Sequence, residues 1–80
     1  MKLPRDLSGA DLAKALAELG YQITRQTGSH LRLTTKEHGE HHVSIPAHRA
    51  LPLGTLRSIL REVGKHCGLG PEELAIRLFG

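Results

Sequence analysis

Leu12, Leu16 and Leu19 recur at i, i+4 and i+7, which lays them along one stripe of a helix. Ser8 stands ahead of that stripe with Asp11 three residues on. The hydroxyl can accept from the orphan backbone N–H groups of a helix start, and the carboxylate suits the positive end of the helix dipole. The helix is predicted to begin near Gly9, run for about three turns, and stop at Gly20, a residue free to adopt a left-handed cap. After Gly20 the period falls to two. Tyr21 and Ile23 alternate with Gln22, Thr24 and Gln26, and beyond Thr27 and Gly28, Leu31 and Leu33 alternate with His30, Arg32 and Thr34. A polar turn over 36–40 precedes Val43 and Ile45, and Pro46 then removes a backbone donor and ends the strand. Pro46 and Pro52 bracket a loop. Leu53, Leu56, Ile59, Leu60 and Val63 give a second helical stripe, with Thr55 placed to help cap it. Gly68, Gly70 and Pro71 break the chain before a short last helix through Leu74 and Leu78.

These elements define an α+β domain in the order α-β-β-β-α, with a terminal helical turn. Each strand offers one apolar face and each main helix one apolar stripe. The simplest closure lays both helices on one face of a three-stranded antiparallel sheet and leaves the other face wet. By parity the wet face carries Gln22, Thr24, Gln26, His30, Arg32, Thr34, His42 and Ser44. Eighty residues suffice for a single domain spanning 1–80 and not for a second core.

Composition narrows the picture further. The chain is 39% hydrophobic, but its only aromatics are Tyr21 and Phe79, so the core must be aliphatic. The same scarcity disfavours a platform that stacks unpaired bases, as RRM and OB-type folds do. The charge of +3 is unevenly spread: residues 21–61 hold six basic and two acidic side chains, a balance of +4, and five of the six histidines. Phosphate is the anion such a segment suits. Arg57, Arg61 and Lys65 follow i, i+4, i+8 spacing along one edge of the second helix, which is also what the outer face of any amphipathic helix carries.

Cys67 is alone and cannot form an intrachain disulfide, which fits a reducing, cytoplasmic setting. The start is charged and leads to no apolar run long enough for a signal core or a membrane span. His38, His41, His42 and Cys67 lack the spacing of a zinc site, so neither metal nor cofactor is called for.

Three stretches taken together are similar to a known family: Gly20-Tyr21 with Arg25-Gln26-Thr27-Gly28-Ser29-His30, then Val43-Ser44-Ile45-Pro46-Ala47-His48, then Gly54-Thr55-Leu56-Arg57-Ser58-Ile59-Leu60-Arg61. They resemble the HicA toxins, also called YcfA-like, over nearly the whole chain. The resemblance implies a fold like the double-stranded RNA-binding domain, an mRNA interferase activity and neutralisation by a HicB-like antitoxin. It also implies that the family's catalytic histidine, found in a Gly-Ser-His motif, corresponds to His30. The histidine-rich turn at 37–42 and the stretch at 66–80 depart from the family pattern.

Cleavage of RNA without a metal needs a base for the 2′-hydroxyl, an acid for the leaving 5′-oxygen and positive charge near the phosphoryl oxygens. Histidine suits the proton transfers. The residues alone leave His30 either as a surface ring closing a turn or as a catalytic group, and the resemblance favours the second. Arg32 and His42 share its face by parity and are candidates for charge stabilisation or a second proton transfer. Gly28, Ser29, Arg32, His42, Arg57 and Arg61 form the expected RNA-binding set, and His48 is either a phosphate contact or a loop residue. The competing function is a non-catalytic module that binds duplex RNA by shape.

Overall fold

The structure, a computed structural model, describes residues 3–80. Met1 and Lys2, part of the charged start, lie outside the described residues. Helix α1 spans Gly9–Leu16, with Ser8 Oγ accepting from the Asp11 N–H at 3.0 Å. The predicted third turn is present but tightens into a 3₁₀ turn over Ala17–Leu19, as helix ends commonly do. Gly20 then takes the left-handed conformation at φ 83°.

Strands β1 (Gln22–Gln26), β2 (His30–Thr35) and β3 (His41–Pro46) form one antiparallel sheet in the order β1-β2-β3. Helix α2 covers Leu53–Cys67 and helix α3 covers Pro71–Phe79. The architecture is the α-β-β-β-α arrangement expected, with α3 appended. Helix α1 lies against all three strands and α2 against β3, while α3 packs on both helices. Leu12, Leu16, Leu33, Ile45 and Val63 are completely buried between the layers.

Three local expectations are corrected. Ile23 is 51% exposed, because every residue of the edge strand β1 is exposed and the apolar layer closes over β2 and β3 instead. Tyr21, just before β1, is the residue that anchors this edge: it is buried, and its hydroxyl lies 2.8 Å from His41 Nδ1. Thr55 makes no capping bond. Pro52 occupies the N-cap position of α2 and Thr55 lies inside the first turn. Finally, β1 has a bulge between Ile23 and Arg25, so Arg25 pairs with Arg32 and Gln26 with Leu31. Paired residues share a face, so Gln26 falls on the covered side and Arg25 replaces it on the open side.

The histidine-rich turn has a structural role at the opposite end of the sheet from His30. The His41 and His66 rings stack at 4.4 Å, and Nε2 of His66 lies 3.0 Å from the carbonyl oxygens of both Glu37 and Gly39, so its N–H closes the turn onto the end of α2. Burial, with help from Cys67 and Glu62, pushes the Tyr21 phenol above its ordinary pKa. Burial also raises the Cys67 thiol. Cys67 is therefore a protonated packing residue at neutral pH rather than a reactive thiolate.

The loop over 47–52 is held by three backbone bonds, one to the turn between β1 and β2 and two to the start of α1. Ala47 N–H donates to Ser29 O at 2.9 Å, Gly9 N–H to His48 O at 3.0 Å, and Leu51 N–H to Leu7 O at 2.7 Å. A Cβ on Gly9 would collide with the Pro46 carbonyl oxygen. Gly9→Ala should therefore destabilise the domain by about 1–3 kcal/mol in urea unfolding, the cost of overpacking, although alanine is the better helix former. A neutral or stabilising result would show that this close approach is not fixed.

Candidate functional site

The register of the sheet arranges the open face in rows. Arg25, Arg32 and Ser44 form one row across the three strands, and Gln22, Thr34 and His42 form the next. On the other side of the arginine row, His30 pairs with Pro46 at the end of the sheet. This face is open because Leu31, Leu33, Val43 and Ile45 take the alternate positions and are buried beneath the helices.

A tight turn presents His30. Thr27 N–H donates to His30 O at 2.9 Å, and His30 N–H donates to Thr27 Oγ1 at 3.1 Å, which fixes the backbone on both sides of Gly28 and Ser29. The His30 side chain is exposed, with Nδ1 3.0 Å from Ser29 Oγ. Among the described residues Nε2 has no hydrogen-bond partner. The serine hydroxyl can donate to an unprotonated Nδ1 or accept from a protonated one, so it holds the ring in either tautomer. His30 thus has one nitrogen tethered and, among the described residues, one without a partner.

His42 is held differently. Its Nδ1 is 2.7 Å from Thr34 Oγ1 and its Nε2 is 3.0 Å from Glu40 Oε2, so both ring nitrogens are engaged. Thr34, opposite His42, is four residues along β2 from His30, a separation of about 13 Å at the usual strand rise. His42 therefore shares the face with His30 without meeting it. Arg32 is closer, two residues from His30 on the same side of β2, or about 7 Å.

Arg57 and Arg61 lie on the helix layer rather than on the sheet face. They line a groove of about 350 Å³ along α2, with Leu60 of the same helix and with Leu3, Leu69 and Pro71 from the chain before α1 and the link into α3. Arg57 is one turn inside the start of α2 and so is nearer the 47–52 loop than Arg61 is. That loop brings exposed His48 and Arg49 toward the His30 end, because Ala47 is bonded to Ser29.

Sequence reasoning missed Arg25 and Arg49. Nothing apolar follows Ile23 within β1, so no later core residue reveals that the parity has slipped. Arg49 lies in a loop whose anchoring depends on backbone groups, which have no side-chain signature. Among the described residues, no three His, Cys, Asp or Glu side chains converge as metal ligands, and no helix is long and apolar enough to cross a membrane.

A family model described as "HicA toxin of bacterial toxin-antitoxin" matches residues 9–65 of the 80. The match takes in α1, the whole sheet and most of α2, including every residue of the open face. Searches of curated proteins and of solved structures return no match.

Gly28 is outside the left-handed region, and a Cβ added to it would meet nothing within 4 Å. Gly28→Ala should accordingly leave unfolding stability within about 0.5 kcal/mol of the parent. A larger loss in urea or thermal unfolding would mean that the chain itself, rather than something approaching from outside, requires the glycine.

Proposed function

The chain belongs to the HicA toxin family of bacterial toxin–antitoxin systems, and on that footing we propose that it is a ribonuclease toxin that cleaves mRNA by histidine-assisted proton transfer. The observation that carries this reading is the exposed His30 ring, tethered at Nδ1 by Ser29 and, among the described residues, without a partner at Nε2, next in register to an arginine row. His42 on the same face differs in having both ring nitrogens already engaged.

In the proposed reaction the 2′-hydroxyl of the RNA attacks its neighbouring phosphorus and the P–O5′ bond breaks, giving a 2′,3′-cyclic phosphate and a 5′-hydroxyl. One proton leaves the 2′-oxygen and one reaches the 5′-oxygen. His30 Nε2 carries one of these transfers, a role suited to an imidazole that can both take up and give back a proton. When Ser29 accepts from Nδ1–H, Nε2 has a free lone pair and acts as base. As the imidazolium, with Ser29 Oγ still accepting from Nδ1–H, Nε2 also carries a proton and acts as acid. Arg32 offsets the charge that develops on the phosphoryl oxygens. No metal or cofactor enters the scheme, since the nucleophile belongs to the substrate.

Gly28 and Ser29 border the path of the RNA backbone, and the bare Gly28 leaves room for close approach. His42 is a contact residue in this reading, and Arg57 and Arg61 extend the phosphate contacts onto the helix layer. A HicB-like antitoxin would neutralise the toxin by covering the open face, with acidic side chains set against its arginines. Action on mRNA implies the cytoplasm.

The test is His30→Ala. Because the ring is exposed, the variant should fold normally and retain RNA binding. Cleavage should fall by roughly 10²–10⁴-fold, and growth arrest on expression should disappear. Undiminished cleavage would overturn the assignment. A wild-type protein that binds duplex RNA and cuts none would identify a non-catalytic binding module instead.

A further inference from the structure

Arg25 and Arg32 are direct cross-strand partners, although both side chains are permanently charged. Like charges so placed weaken a sheet. Among the described residues no acid offsets them: the ion pairs within 4.0 Å are His41–Glu62 and His42–Glu40. The pairing results from the bulge at Thr24. Without the extra residue Arg25 would project to the covered side, because a shift of one position exchanges the faces of a strand. The bulge is itself secured. Thr24 Oγ1 donates to Arg32 O at 3.3 Å and lies 3.0 Å from Thr34 Oγ1. Hydrogen bonds of the fold thus hold in place a bulge that makes two arginines cross-strand neighbours.

The surroundings of the pair indicate what it holds. Ser44 continues the row on the far side of Arg32 with a hydroxyl, and His30 follows on the same face of β2. Two planar forks of N–H donors about 5 Å apart at their Cβ atoms can grip the non-bridging oxygens of one phosphate group. We propose that Arg25 and Arg32 form a phosphate clamp, created by the bulge in β1, that holds one phosphodiester group of an RNA strand beside His30. This rests on the ribonuclease reading for the identity of its ligand, but the anion site itself does not depend on catalysis.

The experiment uses the non-cleaving His30→Ala protein and an unstructured 12-nucleotide RNA, with affinity measured by fluorescence anisotropy over a range of salt. Adding Arg25→Gln or Arg32→Gln should weaken binding about tenfold at low salt and reduce the log–log salt slope by about 0.7, the value for one lost phosphate contact. The double substitution should cost less than the product of the single effects, because both residues hold one group. Lys14→Gln, on the outer side of α1, should change affinity less than about twofold.

In the absence of RNA, Arg25→Gln should raise the melting temperature by about 1–4 °C as the repulsion is relieved. A purely structural arginine would give a fall. An Arg25→Gln effect on RNA no larger than that of Lys14→Gln would overturn the clamp and leave the ribonuclease reading intact. If the His30→Ala protein ignores RNA altogether, that reading fails, and titration with inorganic phosphate decides the clamp. Shifts of the Arg25 and Arg32 Nε–H resonances in the NMR spectrum would support it, and their absence would overturn it.

Discussion

The pairing of β2 with β3 beneath the helix layer determines which side chains of this protein can meet a ligand. Leu31, Leu33, Val43 and Ile45 occupy alternate positions and are all buried. A slip of one residue would turn these four into water and bury His30, Arg32 and His42 without partners. Such a state loses about 1.5–3 kcal/mol of burial for each large apolar side chain and adds desolvation of charge. The register is therefore strongly specified, and the open face is the other half of the same constraint.

Two further devices refine what that constraint provides. The 27–30 turn and the 47–52 loop are bonded to one another and to the start of α1, so His30 projects from a braced corner rather than from a free hairpin tip. The bulge in β1 turns Arg25 toward Arg32 and concentrates positive charge a short distance from that corner. At the far end of the sheet, Tyr21, His41 and His66 form a closed group whose contacts are almost all internal. The two ends contain the same kind of residue and differ in burial and packing: His41 and His66 stack on one another, whereas His30 is exposed.

The element order, the side of the sheet that is covered and the outward position of His30 were all legible in the sequence, because periodicity and turn residues report directly on burial. Leu31 and Leu33 are a clear example: each lies between polar residues and each is buried. What escaped was set by partners remote in sequence or by backbone geometry. The bulge left no trace in a strand with one aliphatic residue. Ile23 is exposed because α1 touches the edge strand β1 without covering it, which no local pattern encodes. His41 and His66 are 25 positions apart, and only the folded chain shows that they stack. The proposal that His30 is catalytic rests on the family resemblance, since the residues around it equally describe a surface turn.

The central claim is that this uncovered imidazole serves a reaction in which the RNA supplies its own nucleophile. The most direct test is the chemistry of the ends left on RNA cut by the purified wild-type protein, read by mass spectrometry. The account predicts a 2′,3′-cyclic phosphate on one fragment and a 5′-hydroxyl on the other. Fragments bearing 5′-phosphate and 3′-hydroxyl ends would show that water or another outside nucleophile attacks, and would contradict it.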